Sequence, residues 1–131
     1  MKGAVRPLLF LGVFMKIREV LTQVDDLYAN AFSEEDKLQW LKNIEEKIYK
    51  ELVLTHHEPV EMTEFDDDNN ELIAPAPYDS LYINYIIANI NKYNNETVRY
   101  NNAMIIFNQE YQEFANWYNR TKMPLSSKEN I

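Results

Sequence analysis

A chain of 131 residues and 15.6 kDa with 46% hydrophobic residues has room for one hydrophobic core, which excludes global disorder and indicates a single domain. It has no cysteine and only two glycines, Gly3 and Gly12, which excludes disulfide bonds, thiolate metal sites, thiol nucleophiles and glycine-rich phosphate loops. Its formal net charge of -8 repels the phosphates of nucleic acids and of anionic lipids, so we expect neither specific nucleic-acid binding nor a membrane partner.

The first fourteen residues begin with charge and continue with apolar residues, and three interpretations of them stay open. A signal peptide needs an uninterrupted apolar core, which Arg6 and Pro7 break. The segment could instead be an upstream extension, with Met15 as the natural start, or an apolar arm that docks on the body or on a neighbour. We therefore divide the chain into an extension or arm at 1–14, a helical domain at 15–124 and a flexible tail at 125–131.

Two amphipathic helices are predicted in the first half of the domain. From Lys16 the apolar residues recur at helical spacing: Ile17, Val20, Leu21, Val24, Leu27, Tyr28 and Ala31. Residues 30–32 are expected to break this first helix. Ser33 and the three acidic residues after it are typical of a helix N-terminus, and this second helix is expected to run to about Leu54. Its apolar stripe consists of Leu38, Leu41, Ile44, Ile48 and Leu52.

The middle of the chain, from Thr55 to Asp79, has no helical period and contains three prolines and an acidic run. We therefore predict a long connection between helices. Within it, Pro59–Phe65 alternates apolar and polar residues and could pair with Glu71–Ala74 across the acidic turn. A short β-hairpin is thus one option for this loop.

Two more helices are predicted in the second half. A third helix follows Pro77 and is expected to be the most buried, because apolar residues cover over half its circumference: Leu81, Ile83, Ile86, Ile87 and Ile90. A fourth begins near Thr97 and carries a heptad seam: Tyr100, Met104, Phe107, Tyr111, Phe114 and Tyr118. The seam is either internal core or a coiled coil between chains. The predicted fold class is all-α: a bundle of about four helices with a long middle loop.

Candidate chemistry is sparse. Asp66, Asp68 and Asn70 imitate the first ligands of a calcium loop, but glutamate and proline stand where the loop needs glycine and a bidentate glutamate, so a solvated acidic turn is the preferred interpretation. His56 and His57 are adjacent and point in divergent directions, which favours a helix end over a zinc or catalytic site. We expect no cofactor, no metal and no enzyme activity; a metal-dependent enzyme that uses both histidines and the acidic turn is a minor alternative.

Tyrosine and asparagine are frequent in the second half of the chain. Asparagine disfavours helix interiors, yet several lie in the third and fourth helices: Asn84, Asn89, Asn91, Asn101, Asn102, Asn108 and Asn116. Biased codon usage would explain them, and so would a surface between subunits, where tyrosine is enriched. On the second interpretation, the candidate protein-interface residues are Phe65, Leu72, Tyr82, Tyr85, Tyr100, Tyr111, Trp117 and Tyr118.

Two segments of the chain resemble small proteins of tailed phages and prophages of low-GC Gram-positive bacteria: Asp36–Thr55 and Leu72–Pro124. The resemblance is carried by PYDSLYINY at Pro77–Tyr85, RYNN at Arg99–Asn102 and FANWYNRT at Phe114–Thr121. Such proteins are similar to the helical head–tail connector, or adaptor, class. The resemblance covers most of Lys16–Pro124 and does not include the first fourteen residues.

The resemblance implies a noncatalytic virion assembly protein. Its partners would be phage portal or neck proteins and copies of itself in a ring, and it would move from the bacterial cytoplasm to the virion head–tail junction. The alternative is a cytoplasmic, prophage-encoded helical module that binds another protein. The class has no catalytic residues, so none are transferred to this chain.

Overall fold

The computed structural model describes residues 13–125, in which helices predominate, as predicted. The elements in chain order are β1 (Phe14–Lys16), α1 (Ile17–Leu27), α2 (Glu34–Glu51), a 3₁₀ turn (Val53–Thr55), β2 (Glu71–Pro75), α3 (Ser80–Tyr93) and α4 (Thr97–Thr121). Residues 1–12 of the predicted extension and 126–131 of the predicted tail lie outside the described residues.

Helix α1 ends at Leu27, shortly before the predicted break at residues 30–32. The side chain of Asn30 turns the chain there: its amide nitrogen donates to the carbonyl of Tyr28 at 2.9 Å, and its amide oxygen accepts from the Phe32 amide at 3.1 Å. These local bonds offer the backbone an alternative to another helical turn.

The predicted start of α2 is confirmed. The Oγ of Ser33 accepts a hydrogen bond from the amide of Asp36 at 3.1 Å, and three acidic residues occupy the first turn, near the positive end of the helix dipole. The α-helix ends at Glu51, and the 3₁₀ turn then continues the chain through Leu54. The change of helix type therefore falls inside the predicted second helix.

The two strands form an antiparallel pair that differs from the predicted hairpin. Glu71–Ala74 is extended, as predicted, but its partner is β1, with Phe14 opposite Pro75 and Lys16 opposite Glu71. Pro59–Phe65 forms no strand. The predicted domain boundary between residues 14 and 15 falls within β1.

Helix α3 is the centre of the core, as predicted, and packs mainly against α4, with further contacts to α1 and α2. Only Lys92 and Tyr93 at its C-terminal end are well exposed. The heptad seam of α4 faces inward, since Phe107, Phe114 and Tyr118 are buried within the chain. The seam therefore forms internal core and not a coiled coil between chains.

The core as a whole draws on every helix and on β2. Its largest fully buried apolar side chains are Ile17, Leu21, Leu41, Ile44, Ile48, Leu72, Leu81, Tyr82, Ile86, Ile90 and Phe114. Among residues 13–125, no helix combines the length and the apolar character needed to cross a bilayer.

Candidate functional site

A fully buried carboxylate joins three elements at the centre of the molecule. Oε2 of Glu45 on α2 accepts from the hydroxyl of Thr63 at 2.5 Å and from the amide of Ile73 on β2 at 2.8 Å. Oε1 accepts from the hydroxyl of Tyr82 on α3 at 2.6 Å, and that hydroxyl in turn accepts from the amide of Ala74 at 2.8 Å. Both carboxylate oxygens are thus engaged by protein donors, as burial of such a group requires.

Glu45 is not among the residues predicted from the sequence, although the sequence carries a signal for it. Glu45 lies four residues after Leu41 and three before Ile48, so it falls on the apolar stripe of α2. A charged residue on a buried stripe needs partners, and its partners lie far along the chain. The network fixes β2 and α3 on α2, which is a structural use of the carboxylate.

The two histidines do not form a common site. His56 is buried, with Nδ1 2.5 Å from the carbonyl oxygen of Leu52 and Nε2 2.9 Å from Oδ1 of Asn119. Its ring also meets the ring of Tyr118 edge to face, with centroids 4.8 Å apart. His57 is exposed. His56 therefore ties the end of α2 to the end of α4, which agrees with the preferred structural interpretation.

Backbone hydrogen bonds strengthen the same tie. The amide of His57 donates to the carbonyl of Met123 at 2.8 Å, and the amide of Leu125 donates to the carbonyl of Thr55 at 2.9 Å. The segment after α2 and the segment after α4 thus run side by side as a short antiparallel bridge. This bridge gives the predicted loop one fixed end.

The acidic turn is engaged by groups of the chain itself. Asp68 accepts from the guanidinium of Arg18, and its backbone carbonyl accepts from the Arg18 amide at 2.9 Å. Nδ2 of Asn70 donates to the carbonyl of Glu64 at 2.8 Å and to Oδ1 of Asp66 at 3.1 Å. Within residues 13–125, no three histidine or acidic side chains converge as metal ligands. The turn binds the N-terminus of α1.

Two ion pairs hold α1 and α2 together. The buried ammonium of Lys37 donates to Oδ1 of Asp25 at 2.7 Å and to Oδ1 of Asn30 at 3.1 Å. The bond from Lys37 holds the pKa of Asp25 below its usual range. Arg18 donates to both carboxylate oxygens of Glu34, at 2.8 and 2.9 Å, which likewise lowers the pKa of Glu34.

The predicted interface residues divide into two groups. Three are buried inside the chain, so in this fold they cannot contact a partner: Leu72, Tyr82 and Tyr118. The prediction is wrong for these three because aromatic and apolar residues at helical spacing serve a core as well as an interface. Five keep partial exposure: Phe65, Tyr85, Tyr100, Tyr111 and Trp117. Tyr100, Tyr111 and Trp117 lie on α4, and Tyr85 of α3 packs against it, with the Tyr85 and Phe107 ring centroids 5.1 Å apart.

Among these five residues, Tyr111 has a structural partner. Its hydroxyl donates to Oε1 of Glu51 at 2.7 Å, which links α4 to the end of α2. Burial raises the pKa of Tyr111, and the neighbouring Glu51 carboxylate raises it further. Tyr111 therefore remains neutral at physiological pH.

The asparagines of α3 and α4 have different roles. On α3, Nδ2 of Asn84 donates to Oε1 of Glu110 at 2.7 Å, and Oδ1 of Asn91 accepts from the hydroxyl of Tyr28 at 2.7 Å. These amides join helices inside the molecule, which gives Asn84 and Asn91 a structural role within the chain. The predicted asparagines of α4 are all exposed: Asn101, Asn102, Asn108 and Asn116.

Helix α4 has an outward surface of unusual composition, which we call the outer face of α4. It consists of Val98, Arg99, Asn101, Asn102, Ile105, Ile106, Asn108, Gln109, Gln112, Glu113 and Asn116, all of which are exposed. Between Arg99 and Glu113 it carries no charge. Val98, Ile105 and Ile106 are 72%, 65% and 49% exposed, which is high for apolar side chains on one helix.

The outward surface of α2 has the charged composition that is usual for an exposed helix face. Seven of its exposed residues are charged: Glu34, Glu35, Asp36, Lys42, Lys47, Lys50 and Glu51. The contrast is within one small protein, so it does not follow from overall composition. Comparison with protein-family models, with curated proteins and with solved structures finds no match for this chain. The outer face of α4 is the candidate functional site.

Proposed function

We propose that the protein is a noncatalytic virion assembly protein of a phage or prophage, a subunit of the head–tail connector or adaptor class. The observation that carries the proposal is the outer face of α4. On a protein of net charge -8, it offers an uncharged and partly apolar surface between Arg99 and Glu113, about 21 Å along the helix. Interfaces between proteins are depleted in charge at their centres, and this face has that composition.

The buried polar groups support a noncatalytic role. The carboxylate of Glu45 and the imidazole of His56 are the side chains best suited to acid–base chemistry by residue type and burial. Each is held by hydrogen bonds that join one structural element to another. These two groups serve the fold, and assembly through a surface requires no further chemistry from them.

The sequence resemblance to connector proteins is the reason for proposing this particular assembly. Pro77–Tyr85, Arg99–Asn102 and Phe114–Thr121 carry the likeness to connector proteins, and they fall at the start of α3 and along α4. The proposed partners are portal or neck proteins and further copies in a ring. The proposed location is the bacterial cytoplasm during assembly and the head–tail junction in the finished particle.

The test is quantitative mass spectrometry of particles purified after prophage induction in the host. We expect peptides from residues 13–125 at a low, fixed, ring-like ratio to the capsid protein, in every preparation. A strain whose copy carries Asn102→Asp and Gln109→Glu on the outer face of α4 should produce particles with less of the protein. Absence from particles of the unaltered strain would overturn the connector proposal in favour of a cytoplasmic binding module.

A further inference from the structure

The charges at the ends of the outer face of α4 are placed symmetrically. Arg99 lies seven residues before Ile106, and Glu113 lies seven residues after it. Seven residues are close to two helical turns, so the three side chains follow one line along the helix, with about 10 Å between neighbours. The line carries a positive charge at one end, an apolar residue at the centre and a negative charge at the other end.

Such a line is complementary to itself when reversed. If two α4 helices lie antiparallel with Ile106 against the partner's Ile106, Arg99 comes opposite the partner's Glu113, and the reciprocal pair forms at the other end. A parallel arrangement would instead set arginine against arginine and glutamate against glutamate. Charge complementarity therefore selects the antiparallel arrangement.

Two further residues of the face agree with the same register. Ile105 adds apolar surface beside the centre, and Asn102 comes within one residue of facing the partner's Gln109. Asparagine and glutamine amides carry both donors and acceptors, so two copies of an amide surface can satisfy each other. Within residues 13–125 neither Arg99 nor Glu113 has an ion-pair partner, and both are available for contacts with another molecule.

We propose that two copies of this chain pair through the outer faces of α4, antiparallel, about a two-fold axis at Ile106. The inference rests on the proposed use of this face as an assembly surface and adds its partner, which is a second copy. Net charge -8 opposes contact between copies elsewhere, whereas on this face the carboxylate of each copy meets an arginine. The pair describes the free protein in solution.

Single cysteines test the axis directly, because the chain has none of its own. In the variant Ile106→Cys the two sulfurs meet at the axis, so mild oxidation should give a disulfide-linked dimer on a non-reducing gel. Val98→Cys is the matched control: the two copies of position 98 are about 24 Å apart along the helices, far beyond disulfide reach. Cross-linking of both variants would indicate a parallel pair and, like cross-linking of neither, would overturn the proposal.

Charge reversal tests the register. In sedimentation equilibrium the wild-type chain should approach twice its 15.6 kDa mass as concentration rises. Arg99→Glu or Glu113→Arg alone should weaken the dimer at least about tenfold, and the double variant should restore it, because the pairs re-form with exchanged signs. Arg120→Glu, which lies on the same helix beyond the partner's α4, should leave the dimer unchanged. Failure of the double variant to recover would overturn this register.

The two proposals fail separately. A protein found in particles but monomeric and free of cross-links in solution would overturn the pairing and leave the connector assignment intact. A protein that pairs as described but is absent from particles would overturn the connector assignment and leave the pairing intact.

Discussion

The hydroxyl of Tyr82 lies 2.6 Å from Oε1 of Glu45, and both side chains are fully buried. The same hydroxyl accepts the amide proton of Ala74, so one oxygen joins α3, α2 and β2. A carboxylate moved from water into a protein interior loses hydration worth several kcal/mol, which only such bonds replace. The position of α3 on α2 therefore depends on this contact as well as on apolar packing.

Replacing Tyr82 with phenylalanine should remove both bonds and leave the ring packing in place. We expect Tyr82→Phe to lower the free energy of unfolding by about 2–3 kcal/mol, measured by urea denaturation, because Glu45 loses a donor and Ala74 loses its acceptor. Tyr85→Phe, on the same helix, is the matched control, since the Tyr85 hydroxyl makes no hydrogen bond within the described part of the chain. Equal losses in the two variants would contradict a structural role for the Tyr82 hydroxyl.

Asp25→Asn should destabilise the protein in a pH-dependent way. Mainly because of the bond from Lys37, the pKa of Asp25 in the folded protein lies below the ordinary value of 3.8. A lowered carboxyl pKa stabilises the fold above the unfolded-state pKa, and this stabilisation is lost as pH falls through the folded-state pKa. Since Asp25 is half exposed, we expect a loss of about 1 kcal/mol at pH 7 that disappears in acid below the pKa of Asp25.

The measurement is urea denaturation of the wild type and of Asp25→Asn at several pH values between neutral and acid. Asp26→Asn is the control, because it removes the same charge from the neighbouring, exposed position of α1. A deficit that stayed constant from pH 7 into acid would show that the ion pair with Lys37 is not its cause.

The hydrogen bond between His56 and Asn119 should contribute to stability. Asn119→Ala removes the group 2.9 Å from Nε2 of the buried histidine, and we expect a loss of about 1 kcal/mol in the free energy of unfolding. Asn116→Ala, one turn earlier on the exposed surface of α4, should be close to neutral or slightly stabilising, because alanine has the higher helix propensity. Hydrogen exchange should show faster opening near residues 55–57 and 123–125 only in the first variant.

The net charge of -8 should prevent binding to duplex DNA. In fluorescence anisotropy with labelled duplex DNA at about 50 mM salt, the purified protein should show no saturable binding, since few cations are available to replace counterions on the phosphates. A connector ring built from such subunits would let the genome pass without adhering. Tight binding that weakens steeply with added salt would contradict this prediction.

The helices could be predicted from the sequence because their signals are local. Apolar spacing and the cap at Ser33 predict α2, and the heptad spacing that begins after Thr97 predicts α4. The sheet could not be predicted in the same way, since β1 is only three residues long and its partner lies more than fifty residues further along the chain. Local alternation of apolar and polar residues predicts Pro59–Phe65 as the partner of β2. In the fold, β1 pairs with β2 instead.

The candidate site shows the same limit. The heptad pattern of α4 predicts one side of the helix correctly and fits both an internal core and a coiled coil, whereas the interface prediction for Tyr118 rests on the enrichment of tyrosine at interfaces. The asparagines of α4 are noticeable in the sequence because asparagine disfavours helix interiors, but the face that they share with Ile105 and Ile106 is defined only once the inward side is known. The burial of Tyr82 depends on Glu45, which lies 37 residues away.

The pairing of β1 with β2 also orders events during synthesis. β1 and the apolar residues of α1 leave the ribosome first, yet their partners on β2 and α3 follow only after a further stretch of about 55 residues or more. At ordinary elongation rates this interval lasts several seconds. During it the growing chain presents an unpaired strand edge and an uncovered apolar helix, so chaperones and aggregation compete for the N-terminal third of the protein until α3 has emerged.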